Sequence, residues 1–224
     1  MNGSCLPSVP AGHSGPAALI VRHAERHPIP DLRSALEVGL TEKGKGDARD
    51  FGSLLRGFET VRVFHSPALR CRETSEGIME GVRGNGTSVQ GLTEIPGLCA
   101  PYIRDPRRIL GEAGRLGSVF LRQWFDGKYG EDLIMPSNEA ADLVLSQILA
   151  RLAEPGGDGR LDVHVSHDWE ILLLREMLMG ARYEEDGWIG YLEGIMFVPD
   201  GDGFLALMNG RSGRFRYRDG RRVD

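Results

Sequence analysis

The chain has 224 residues, 27 basic against 32 acidic side chains, a formal charge of −5 and 41% hydrophobic residues, a globular composition long enough to bury a core without disulfides. Cys5, Cys71 and Cys99 are odd in number, widely spaced and form no CxxC pair, which argues against a disulfide scaffold or a cysteine-ligated zinc module and for a reducing compartment. No window supplies the roughly 18 consecutive apolar residues that a membrane-spanning helix needs.

Residues 1–16 are rich in Gly, Ser and Pro and lack both a basic start and an apolar run. They read as a disordered leader rather than a signal peptide, so the expected localisation is cytoplasmic. Ala17 to Val21 is a short continuous apolar run, the pattern of a strand buried on both faces. Thr41 is placed to cap a helix over Glu42 to Arg56, since Ala48, Phe51, Leu54 and Leu55 recur at helical spacing. A second strand is expected at Val61 to Phe64 and a second helix from Ala68 to Val82, ended by Gly84-Asn85-Gly86.

The segment 96–136 mixes Arg, Gly and Trp and reads as a helical insertion. Ser137 is expected to cap a helix reaching Leu152, followed by a strand over Leu161 to Val165 and an apolar helix over Trp169 to Met179. Tyr191 to Val198 and Phe204 to Met208 flank Asp200-Gly201-Asp202-Gly203, a hairpin signal. The order of strands and helices predicts a three-layer α/β/α sandwich with a mostly parallel sheet and helices on both faces, a single domain over 17–224.

In a parallel sheet ligands bind beyond the carboxyl ends of the strands. Three polar segments fall at such ends: Arg22-His23-Ala24-Glu25-Arg26-His27-Pro28, His65-Ser66-Pro67-Ala68-Leu69-Arg70, and Ser166-His167-Asp168. Arginines gathered at one pocket imply an oxyanion, because guanidinium forks match phosphate oxygens and keep their charge. Among them a neutral imidazole is a competent nucleophile toward phosphorus, and a protonated carboxyl serves the leaving alcohol.

The run from Arg22 to Pro28 resembles the R-H-G-x-R-x-P signature of the acid phosphatase and phytase branch of the histidine phosphatase superfamily, with Ala24 in place of glycine. His167-Asp168 is similar to that branch's H-D motif, and Leu40-Thr41-x-x-Gly44, Ser66-Pro67-x-x-Arg70 and Thr74 resemble elements common to the superfamily, which includes the cofactor-dependent phosphoglycerate mutases. The resemblance covers about a third of the chain and implies a phosphoglycerate mutase-like fold. It implies His23 as the nucleophile that becomes phosphohistidine, with Arg22, Arg26, Arg70 and His167 holding the phosphoryl oxygens. It implies Asp168 as proton donor, while Glu94 is the rival by similarity to the mutase-like branch. The expected activity is phosphomonoester hydrolysis without metal or cofactor, on a phosphorylated small molecule or phosphoprotein; the alternatives are mutase-like phosphoryl transfer and a weakly active phospho-ligand binding protein.

Competing signals are weaker. Gly39 to Lys45 matches the start of a nucleotide-binding P-loop, but Gly46 stands at the Ser/Thr position and no strand ends at Gly39. His23 and His27 are four apart, yet Pro28 opposes a continuing helix and Glu25 is misplaced for H-E-x-x-H. The six arginines between Arg211 and Arg222 fit an edge strand guarded by charge better than a nucleic-acid strip, given the acidic balance.

Overall fold

The computed structural model describes residues 13–31 and 33–223. The expected leader falls mostly outside these, as does Cys5; of its last four residues, Ser14 accepts a backbone bond from Gly159 (2.8 Å).

Strand β1 (Ala17–Arg22) is apolar and buried on both sides. It lies between β4 (Arg160–Ser166), parallel to it, and β5 (Gly194–Asp200), antiparallel. Strand β2 (Thr60–His65) pairs in parallel with β4 and with β3 (Ser88–Glu94). With β6 (Gly203–Met208), β7 (Arg211–Arg218) and β8 (Arg221–Val223), the eight-stranded order is β3-β2-β4-β1-β5-β6-β7-β8. The expected mostly parallel sheet is therefore corrected: only β1 to β4 are parallel to one another, and every pairing along the run β1-β5-β6-β7-β8 is antiparallel. The reason is local. Asn209-Gly210 and Asp219-Gly220 have positive φ at both turn positions, the condition for two-residue hairpins, which join antiparallel strands only.

Helices α1 (Glu42–Leu54) and α2 (Leu69–Gly84) cover one face. There Leu19 and Val21 of β1 meet Val61, Val63, Val163, Phe51 and Ile78. The two helices cross closely, since a Cβ on Gly52 would overlap the Ile78 carbonyl and one on Gly81 the Arg49 carbonyl. The opposite face, bearing Ala18 and Ile20, is covered by α3 (Pro106–Leu116), α4 (Ser118–Phe125), α5 (Ser137–Leu152) and α6 (Asp168–Met179). Helices on both faces make the three layers. A short α7 (Tyr183–Asp186) leads into the loop before β5.

Several boundaries differ from expectation. Strand β3 carries mostly polar, exposed residues at a sheet edge, so it has no apolar period to betray it. Ser137 does not cap α5; its hydroxyl donates to the Phe125 carbonyl (3.3 Å). Tyr191 precedes β5 rather than lying in it. Asp162, fully buried near the start of β4, is paired with Arg62 (2.7 Å) and Arg160 (3.2 Å). Of the C-terminal arginines, Arg211 pairs with Asp186, Arg214 with Asp200, Arg216 and Arg218 with Asp202, and Arg222 with Asp142.

Candidate active site

The parallel strands β1, β2 and β4 all end at one edge, and their last residues align in register: Arg22 with Ser166, His65 with Val165. The segments that follow them therefore converge. His23 is 3% exposed, and its backbone N–H donates to Ser166 O (3.0 Å). Its Nδ1 lies 2.8 Å from the carbonyl of Ala24. A carbonyl only accepts, so Nδ1 carries the proton and Nε2 keeps its lone pair. Burial, then the charges of Arg70, Arg22 and Arg26, lower the His23 pKa to about 3, against the opposing effect of the Ala24 bond. The ring is thus neutral at physiological pH.

The motif residues around His23 have physical tasks. Ala24 does not have positive φ, so alanine serves where the resembled motif has glycine; its N–H donates to Thr74 Oγ1 (3.0 Å), which in turn donates to Arg70 O (2.6 Å). Thr41 caps α1 by accepting from Gly44 N (3.0 Å) and donates to Glu25 Oε1 (2.8 Å). A Cβ on Gly44 would collide with the Glu25 carbonyl, so only glycine lets α1 approach the His23 loop this closely.

Arg22 donates from Nη1 to Ile189 O (2.6 Å) and pairs from Nη2 with Asp168 Oδ2 (3.1 Å). Its guanidinium carbon lies 4.4 Å above the centre of the Tyr191 ring. Arg70, in the first turn of α2, reaches Ala35 O (2.6 Å) and Nδ1 of His167 (3.0 Å); burial lowers its pKa. His167 precedes α6, with Nε2 2.8 Å from Ser66 Oγ and its ring centre 5.6 Å from that of His23. Burial, then Arg70 and His23, hold the His167 pKa well below the ordinary imidazole range. Asp168 opens α6, accepting from Trp188 Nε1 (3.0 Å) at Oδ2 and from the Trp169 N–H (3.1 Å) at Oδ1. Arg26 contributes its charge to His23 and His167, while its Nη1 donates to His27 O (2.8 Å).

Contacts thus link His23, Arg22, Arg70, His167 and Asp168 in one cluster, and the charge of Arg26 acts on both of its histidines. Glu94 stands apart from that contact network. It ends the edge strand β3 in register with His65 and is exposed, and its carboxylate has no hydrogen-bond or ion-pair partner among the described residues. Ser66, quoted above within Ser66-Pro67-x-x-Arg70, is the partner of His167, while other neighbours carry no clear signal in the sequence: Cys71 with Sγ 3.8 Å from His167 Nε2, Trp188, Tyr191 and Glu170. Glu170 is 1% exposed, accepts from Ala100 N (2.6 Å), and is raised to about 7 by burial. Its only trace in the sequence is a carboxylate three residues after His167, beside the apolar run of Ile171 to Leu174. Among the described residues no group of three or more His, Cys, Asp or Glu is arranged to hold a metal ion, and no helix is long and apolar enough to cross a membrane.

Residues 18–97 match the family model of the histidine phosphatase superfamily (branch 1). The matched stretch includes His23, Arg70 and Glu94 and stops before His167 and Asp168. Among solved structures, the chain is similar to one described as mycobacterial hydrolase 2, at 15% identity over 91% of this chain and 93% of the other, TM-score 0.59. It is also similar to a mycobacterial glucosyl-3-phosphoglycerate phosphatase (16% identity, 81% and 89% covered, TM-score 0.54). A third is a mutant of phosphoserine phosphatase from Entamoeba histolytica, solved in complex with phosphoserine (15%, 92% and 98%, TM-score 0.53). At these identities the likeness is one of fold. No curated protein matches the chain.

Proposed function

We propose that this chain, which belongs to the histidine phosphatase superfamily, hydrolyses phosphomonoesters through a phosphohistidine on His23. The observation that carries the reading is the bond from His23 Nδ1 to the Ala24 carbonyl (2.8 Å). It leaves Nε2 unprotonated in a pocket shared with Arg22, Arg26 and Arg70.

Nε2 attacks phosphorus in line as the ester P–O bond breaks, and the transferred phosphoryl oxygens, rich in negative charge, are held by the three guanidiniums and by the Nε2–H of His167, which exchanges Ser66 Oγ for a phosphoryl oxygen. The Asp168 carboxyl is the proposed donor to the leaving oxygen. A phosphoryl group seated on Arg22 draws that guanidinium away from Asp168 and brings negative charge beside the carboxyl. The proton that the phosphate monoanion carries in passes through Asp168 to the alkoxide as it departs. Water next attacks the phosphohistidine, the N–P bond breaks, and inorganic phosphate leaves with Asp168 accepting the proton of the water.

The reading is tested with p-nitrophenyl phosphate in excess EDTA, for the wild type and His23→Ala, and by trapping labelled enzyme at alkaline pH. Turnover that survives EDTA, is lost in the variant, and is accompanied by label on the wild type alone is the expected result. Turnover that EDTA abolishes, or that persists in His23→Ala, overturns it.

A further inference from the structure

Two large aromatic side chains stand partly in solvent at the mouth of this pocket: Trp188 is 40% exposed and Tyr191 37%. Both belong to the loop between α7 and β5, and both touch residues of the proposed chemistry. The Tyr191 ring centre lies 5.7 Å from that of His23 and packs under the Arg22 guanidinium. The Trp188 indole donates to Asp168 Oδ2 and rests edge-on against Tyr183, with ring centres 5.5 Å apart.

The loop is built rather than loose. Arg175 donates to the Gly187 carbonyl (2.8 Å) and Arg22 to that of Ile189 (2.6 Å). Glu193 accepts from Gly190 N (2.8 Å), and Leu192 N donates to Arg22 O (3.1 Å). Leu192 has φ +59° with its side chain 8% exposed. A left-handed leucine is uncommon and costs of the order of 1 kcal/mol or more, so it persists only where its surroundings over-determine it. Here the buried Leu192 anchors the loop in the core and turns Tyr191 outward beside the nucleophile.

An oxygen that leaves phosphorus opposite His23 and takes a proton from Asp168 must lie within hydrogen-bond reach of that carboxyl. Trp188 is already at that distance, so the substituent on the leaving oxygen lies against the indole and the Tyr191 ring. We infer that Trp188 and Tyr191 select the leaving group, favouring phosphate esters whose alcohol presents a flat aromatic face over esters of small polar alcohols. Such a pre-ordered aromatic wall adds contact area without an ordering cost on binding. The inference rests on the proposed phosphatase reading, because it takes the position of the leaving oxygen from Asp168.

The test uses equilibrium binding of phenylphosphonate and methylphosphonate, which offer the same anion and differ in the group at the mouth, followed by intrinsic tryptophan fluorescence and calorimetry. Alongside, kcat/KM is compared for 2-naphthyl and phenyl phosphate, whose leaving groups are of similar acidity. The wild type is expected to bind phenylphosphonate about tenfold tighter and to prefer the naphthyl ester. Both preferences collapse toward unity in Tyr191→Ala and in the Trp188→Ala/Tyr191→Ala pair, and Tyr191→Phe retains them. Equal affinities in the wild type, or a preference that survives the double substitution, overturn the inference even if His23-dependent turnover is intact. Failure of both phosphonates to bind, with no turnover of any ester, overturns the phosphatase reading and the selection rule with it.

Discussion

Arg70 Nη2 lies 3.0 Å from Nδ1 of His167. A guanidinium only donates, so His167 is bare at Nδ1 and carries its proton on Nε2, which donates to Ser66 Oγ. Arg70 thus adds to the positive field around the histidines and sets the tautomer of the second of them.

Lysine cannot span the two acceptors that Arg70 reaches at once, the Ala35 carbonyl and His167. Arg70→Lys is therefore expected to lower kcat/KM toward p-nitrophenyl phosphate by on the order of 10². Nitrogen NMR of the wild type should report the Nε2–H tautomer of His167. A protonated Nδ1 in the wild type, or a lysine variant of full activity, contradicts this account.

The proton donor is identified by how much the alcohol needs protonation. Asp168→Asn is expected to reduce turnover of glycerol phosphate by on the order of 10² or more, and that of p-nitrophenyl phosphate far less, because nitrophenolate leaves without a proton. Glu94→Gln should treat the two esters alike. The reverse pattern would assign the role to Glu94.

Glu170 ties stability to pH in a defined direction. Burial raises its pKa from 4.5 to about 7, so between these values the unfolded chain is the one that releases the proton. Its contribution is fully present below about pH 4.5 and is lost as pH rises through 7. Glu170→Gln keeps an oxygen for Ala100 N and removes the titration. In urea unfolding from pH 5 to pH 8 the wild type should lose stability relative to the variant; parallel curves for the two would refute the assignment.

His164 acts with the opposite sign. It is fully buried and stacked on Phe64 (4.9 Å), both ring nitrogens lack a hydrogen-bond partner among the described residues, and burial lowers its pKa to about 3. The neutral form favours folding above about pH 6.5, and that contribution is lost as pH falls from 6.5 toward 3, by about 1.4 kcal/mol per pH unit at most. His164→Leu removes a buried unpaired polar ring. It is expected to be neutral or stabilising at pH 8 and clearly stabilising at pH 5. A variant that loses as much stability on acidification as the wild type would show that His164 is not the group involved.

Local patterns made much of the fold legible. Apolar continuity marked β1, β2 and β4, helical spacing after Thr41 marked α1, and Asp200 to Gly203 marked a hairpin, because these signals are set by neighbours along the chain. The polar segments after three strands could be assigned to one edge, since parallel strands bring their carboxyl ends together whatever their order. The antiparallel half of the sheet follows from the turns Asn209-Gly210 and Asp219-Gly220, a signal that the alternation of strands and helices does not carry. Strand β3, polar and half in water, owes its place to pairing with β2 and to Val89 and Leu92 packing on the core beneath α2. Only the tertiary structure decided that Tyr191 and Trp188 rim the pocket, that Asp168 contacts Arg22 while Glu94 lies at the sheet edge, and that Glu170 is buried. Each is a relation between residues distant in the chain. Burial and electrostatic fields arise only when separate segments exclude water together, so no local pattern encodes them.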